Sequence, residues 1–233
     1  TKPPWASNSA KRIGAAKHLR LYDRFTPEAV MELITPNKSQ IRAVFGNANY
    51  VRLLLAQIIG AFGDRIHQMA LLSFIIAITH STNTTKHIAD ITFWGILPAV
   101  VFGPFALTLV DRLPWKRTML QSTLIRCALA FTMPLLLATW YNIHTAWITA
   151  FLLGTFAAVF APCRLAIMPN LVPTNQFTTT NAISSQVGNL ATIFGVPFGG
   201  YLVDFIGRNA GFYVDGMAFL AAACLILLLK PSI

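Results

Sequence analysis

What this chain lacks most is charge. Of its 233 residues only 11% are Asp, Glu, Lys or Arg, less than half the share usual in a water-soluble domain. Acids are scarcest, eight against eighteen Lys and Arg. Cysteine is also sparse. Cys127, Cys163 and Cys224 lie in apolar runs without a C-x-x-C spacing, which argues against a disulfide framework and against a thiolate metal site. They read as small apolar packers. The five histidines are scattered. Neither a phosphate-binding loop nor a Ser/His/Asp set stands out, so the sequence does not read as an enzyme, and nothing in it calls for a cofactor or metal. The first 48 residues are polar and the chain opens on Thr rather than Met. This start does not read as a cleavable signal peptide, and is expected to be processed or trimmed.

What remains is apolar. Hydrophobic residues make up 55% and the mean hydropathy is +0.58. The apolar runs are long and do not alternate, so they read as helices whose solvent is lipid. We expect six spans, at about 51–79, 88–110, 118–140, 146–168, 181–206 and 211–229, following a polar arm over residues 1–48. The membrane domain is then 49–233. Turn chemistry marks the joints at Ser81-Thr82-Asn83, Leu113-Pro114, Tyr141-Asn142, Pro173-Thr174-Asn175 and Gly207-Arg208-Asn209. Within the arm, Thr26-Pro27-Glu28 has the form of a helix start, predicting a short surface helix over 27–35.

Net charge is +10 and unevenly spread. Nine of the Lys and Arg precede Leu53. In a membrane protein such an arm fits the positive-inside bias and contact with anionic headgroups better than nucleic-acid binding. With the amino end inside, the inner side holds fourteen cations and the outer side only Lys86 and Arg208. Both termini are therefore expected in the cytoplasm.

Several groups could carry chemistry. Asp111, Arg112, Lys116 and Arg117 crowd the turn between the second and third spans, where a carboxylate and cations can latch helix ends in one state and release them in another. A loop that merely fixes orientation is the other reading. The first span sets Gln57, Gly60, Asp64, Gln68 and Leu71 on one helical stripe, flanked by Arg65 and His67. Ionisable groups at mid-span usually face a cavity or a partner. Asp64 thus reads either as a proton-carrying or substrate-facing carboxylate, or as a structural partner of Arg65 or Arg126. His67 reads as a core histidine or a proton relay. Arg126, Arg164 and Asp215 are further charges within the spans or at their ends. In the fifth span Gly188, Gly195, Pro197, Gly199 and Gly200 offer close helix approach and a bend.

These stretches carry a resemblance. Leu109, Asp111, Arg112 and Lys116 match the loop between helices 2 and 3 of the major facilitator superfamily, G-x-L-x-D-R-x-G-R-K, with Leu107, Pro114 and Trp115 departing from it. Residues 160–173, with Arg164 between Pro162 and Pro169, and Asn181-Ala182 resemble P-x-R-x-A-x-x-P-x-L-V-P … N-A of the macrolide-efflux and enterobactin-exporter branch. Gly195-Val196-Pro197-Phe198-Gly199-Gly200 is similar to the antiporter signature G-P-x-x-G-G, with the proline one place late. Residues 60–64 and 213–219 look like the same exporters. Gly200–Arg208 fits G-x-L-x-D-x-x-G-R, so spans 1–3 and 4–6 read as inverted repeats.

The resemblance covers roughly residues 50–230. It implies an all-α membrane fold, six helices in two inverted three-helix repeats, half of the usual twelve. It implies a bacterial-type plasma membrane and two alternatives in function. One is a half-size transporter exporting small amphipathic molecules by alternating access, as a dimer or with a second six-helix chain. The other is a non-transporting accessory subunit of a larger membrane complex. The expected partners are the lipid bilayer and that second half or complex, with a small-molecule substrate in the first case and no nucleic acid in either.

Overall fold

The computed structural model describes residues 38–79, 84–110 and 114–230. The predicted helix over 27–35, the Ser81–Asn83 joint, and Asp111, Arg112 and Leu113 lie outside the described residues. The chain divides into two units, Thr1–Ala43 and Val44–Ile233. A short helix, α1, covers Lys38–Phe45. The second unit then holds six long helices: α2 (Ala48–Thr79), α3 (Thr84–Val110), α4 (Trp115–Thr139), α5 (Ile143–Ile167), α6 (Phe177–Ile206) and α7 (Arg208–Leu227). Two 3-10 turns, Met168–Asn170 and Thr174–Gln176, join α5 to α6. Among the described residues every regular element is helical.

Each long helix begins three or four residues before the apolar run that predicts it. At the heads of α2 and α5 the extra turn is capped by a side chain. The Asn142 side chain accepts from the backbone N–H of His144 at the head of α5. The Asn47 side chain does the same for Asn49 and Tyr50 at the head of α2. Caps satisfy first-turn donors that hydropathy does not register. Between α6 and α7 the chain turns on one residue, Gly207, at φ +86° and ψ 153°, a conformation that disfavours any side chain.

Five of these helices, α2, α4, α5, α6 and α7, are long and apolar enough to cross a membrane. The sixth, α3, is 27 residues long. It opens on Lys86, His87 and Asp90, and its run 91–110 carries no charged residue.

Successive helices run in opposite directions. The heads of α2, α4 and α6 meet the tails of α5 and α7 at one end. There Asn47 donates to the carbonyl of Leu171 and Arg52 to that of Leu228. Tyr50 donates to the carbonyl of Thr180. Lys116 Nζ donates to the carbonyls of Leu227 and Leu229, at 2.8 and 2.6 Å, a cation placed on helix-terminal acceptors. At the other end Phe74 meets Tyr141 edge-to-face, and His87 lies against Trp147.

The helix pairings have an internal symmetry. The principal contacts are α2 with α6 and α7, α5 with α3 and α4, and α4 with α7. Exchanging α2 with α5, α3 with α6, and α4 with α7 reproduces the same set. Because successive helices alternate in direction, the two trios are related by inversion, as the sequence repeat implies. Apolar cores fill both ends of the bundle. One centres on Tyr50, Met119, Ile167 and Leu229. The other centres on Phe74, Met133, Ala146 and Phe212. Asp64, His67, Arg126 and Asp215 lie between them.

Candidate functional site: a charged layer at mid-bundle

Helix α2 is the axis of the site, and Asp64 falls at its midpoint. Its neighbours approach closely because their contact positions are glycine. A Cβ on Gly63 would stand 2.6 Å from Asp215 Oδ1 and 3.0 Å from Ala218 Cβ on α7. A Cβ on Gly195 of α6 would stand 2.9 Å from Arg65 Cγ, and one on Gly199 would stand 3.2 Å from the backbone of Arg65 and Ile66. The repeat's counterpart is the α3–α5 crossing, where a Cβ on Gly154 would collide with the carbonyl of Gly95. Gly188 faces the Gln57 amide, and Gly200 faces Met69. Pro197 lies inside α6, where it supplies no N–H to the preceding turn.

Two polar side-chain pairs tie the layer together. Arg126 of α4 donates through Nη2 to Asp64 Oδ1. The guanidinium is buried and sits 4.1 Å from the centroid of the Phe219 ring on α7. The Asp64 side chain is 40% exposed. Of the two pairings open from sequence, the structure places Asp64 on Arg126. Arg65 turns away, donating to Gln68 Oε1 at 2.9 Å. One turn along α2, His67 Nδ1 lies 2.8 Å from Asp215 Oδ2. Both residues are buried, and the imidazole stacks edge-on against Phe212 at 4.9 Å. His67 Nε2, Asp215 Oδ1 and Arg126 Nε have no hydrogen-bond partner.

Asp64 touches two cavities. One of about 410 Å³ lies between α2, α3 and α5, bounded by Asp64, His67, Gln68, Thr92, Leu153 and Gly154 among others. A smaller one of about 140 Å³ is bounded by Gln57, Gly60, Asp64, Arg126 and Phe219 among others. The α2 stripe predicted from spacing therefore faces open volume. Gln57 is anchored beside it, its amide donating to the Ser184 carbonyl of α6 at 2.8 Å.

Gln57, Asp64, His67, Gln68 and Arg126 thus border the two cavities, spread over about three turns of α2. Arg164 is not among the residues lining either cavity; it stands near the other end of α5, with one guanidinium nitrogen unpartnered. Of the turn residues, Lys116 caps the end of α7 and Arg117 is exposed. Asp215 is the group that spacing did not place in the site. Its sequence signal was simply an acid inside an apolar run; that it meets His67, 148 positions away, is a tertiary fact.

A bundle of inverted three-helix repeats with a charged, cavity-lining layer at mid-bundle defines a membrane-transport fold. Residues 53–232 match the Major Facilitator Superfamily, and the chain belongs to that family. It is an integral membrane protein. Among relatives, it is 25% identical to the uncharacterized MFS-type transporter YfiS of Bacillus subtilis, over 76% of this chain and 41% of that protein. It is 21% identical to the uncharacterized MFS-type transporter YkuC of the same organism, over 78% of this chain and 42% of that one. It is 25% identical to macrolide efflux protein A of Streptococcus pyogenes, over 75% of this chain and 42% of that protein. The chain thus spans well under half the length of these relatives.

Proposed function

We propose that this six-helix unit forms one half of a proton-coupled exporter of small amphipathic molecules, working by alternating access against a second six-helix half supplied by the same or another chain. The observation that carries the reading is Asp64, a mid-membrane carboxylate bordering two cavities while held by a buried arginine. Such a group can exchange its cationic partner for a proton or a substrate amine as the cavity opens. Arg126 sets the empty state, Gln57 and Gln68 supply polar contacts to substrate, and Gly195 to Gly200 let α6 move closely against α2. The relation to macrolide efflux protein A supports an amphipathic substrate. In bacterial cells producing the full-length protein, accumulation of a macrolide measures the activity. Asp64→Asn is expected to reduce efflux at least tenfold at unchanged protein level. Unimpaired efflux in that variant removes Asp64 from the mechanism.

A second reading has one observation of its own. Leu107, Pro114 and Trp115 replace the glycines and a basic residue of the family's switching loop, which favours an accessory subunit that no longer switches. Purification in mild detergent separates the two: co-purification with unrelated proteins, in place of a second six-helix unit, favours the accessory role.

The cation count supports a cytoplasmic location for both termini in a bacterial plasma membrane. Single cysteines at residue 10 and at Arg117 are expected to resist a membrane-impermeant thiol reagent in intact cells, while one at Lys86 reacts. Labelling of the Arg117 position from outside overturns that orientation.

A further inference from the structure

The buried pair of His67 and Asp215 is left over once Asp64 and Arg126 are matched. Two carboxylates, the guanidiniums of Arg126 and Arg65 and one imidazole share this layer, and Arg65 is turned to Gln68 Oε1. Arg126 offsets Asp64. In a low-dielectric interior the net-neutral form of the remaining pair is favoured over the net-charged one, because an uncompensated buried charge is expensive. Neutrality requires one titrating proton beyond the imidazole's own N–H. It sits either on the ring, as imidazolium against carboxylate, or on the carboxyl, against a neutral ring. Both arrangements keep the 2.8 Å contact between Nδ1 and Oδ2. Each partner also keeps one unpartnered polar atom, His67 Nε2 and Asp215 Oδ1, although both residues are more than nine-tenths buried. His67 also borders the 410 Å³ cavity.

We infer that His67 and Asp215 together form a binding site for one exchangeable proton, loaded from the α2–α3–α5 cavity and shared across the α2–α7 contact. On loading, a hydronium in cavity water gives its proton to the lone pair of the neutral imidazole and leaves as water. On unloading, the same proton returns to water and the carboxylate stays ionised. The charged or titratable groups around the pair are Asp64 and Arg65 on α2 and Arg126 and Cys127 on α4. Helices α3 and α5 present Ile91, Thr92, Ala150 and Leu153 to the cavity beside it, and none of these titrates. The fixed Arg126 charge opposes loading and the Asp64 charge favours it, so withdrawal of Arg126 from Asp64 changes the affinity of the neighbouring site. This deepens the exporter reading by giving the coupling proton a second place to reside, but the site itself does not depend on transport.

The test is a ¹⁵N-histidine NMR titration of the purified full-length protein in lipid nanodiscs, over about pH 5 to pH 9, the range in which an imidazole switches. Replacing His18, His80, His87 and His144 with glutamine leaves His67 as the single histidine of this unit. The His67 ring nitrogens are expected to report uptake of one proton within that range. Asp215→Asn is expected to lower the proton affinity at least tenfold, because the carboxylate that stabilises the imidazolium is gone. A ring fixed in one protonation state throughout, or an unchanged midpoint in Asp215→Asn, overturns the proposal. Should Asp215→Asn not fold, the unsubstituted-Asp215 titration decides alone. Efflux by Asp64→Asn is read separately, so failure of either result leaves the other standing.

Discussion

Gly199→Leu is expected to abolish the folded, monodisperse protein in detergent, while Gly200→Ala one position along leaves it intact. The difference is what each side chain would meet. A Cβ at Gly199 stands 3.2 Å from the Arg65 carbonyl oxygen and from Ile66 Cα, both backbone atoms that cannot rotate aside. A Cβ at Gly200 meets only the flexible Met69 sulfur at 3.9 Å. Overpacking a tight site costs about 1–3 kcal/mol or more. Between membrane helices that loss matters more, because close packing rather than the hydrophobic effect holds them together. Gly199→Ala should fall between the two. Gly154→Leu should behave like Gly199→Leu, since the Gly95 carbonyl occupies the space a side chain needs at the α3–α5 crossing. Equal unfolding temperatures for Gly199→Leu and Gly200→Ala would show that α2 and α6 do not cross at this point.

Arg126→Ala is expected to be the most damaging single change in the charged layer, at about 3 kcal/mol of stability. Truncating one partner of a buried ion pair costs about 3–5 kcal/mol because the other charge is stranded. The lower end applies, since the Asp64 side chain is 40% exposed and can recover some solvation from the cavity. Loss of the contact with the Phe219 ring adds to the cost. The companion measurement is the double variant Asp64→Asn with Arg126→Gln. It removes both charges, keeps the shape at Asp64 and a shorter polar side chain at Arg126, and is expected to be more stable than the matching single Arg126→Gln, in which Asp64 is stranded. A thermal-unfolding cycle in one detergent reads the coupling. If the double variant is as unstable as the sum of the singles, the two side chains do not form an energetically coupled pair.

How far the site was legible in the sequence varies by residue. The α2 stripe of Gln57, Asp64 and Gln68 followed from helical spacing alone, because residues three, four and seven apart share a face whatever packs there. The structure supplies open volume on that face. Which cation Asp64 meets was not decidable. Arg65 is adjacent in sequence, yet adjacent residues on a helix point apart, and Arg126 arrives from a helix sixty-two positions on. Asp215 was visible as an intramembrane acid but not as the partner of His67. That pairing needs Gly63 to admit α7 close to α2, and no local pattern states which helix a glycine will admit. Lys116 was grouped with a switching loop from its neighbours in the chain; its described contacts are with the carbonyls ending α7.

The sequence by itself determined the solvent, the helices and their alternation. Charge scarcity forces burial in lipid, lipid forces internally bonded helices, and apolar run length fixes where they cross. It also carried the repeat, in the Leu-Val-Asp motifs near Val110 and Val203. Only the tertiary structure decided who faces whom: α2 against α6 and α7 of the other trio, Arg126 on Asp64, and His67 on Asp215. The physical reason is that backbone hydrogen bonding within a span is local, whereas a buried charge is satisfied by whichever helix small residues allow to come near.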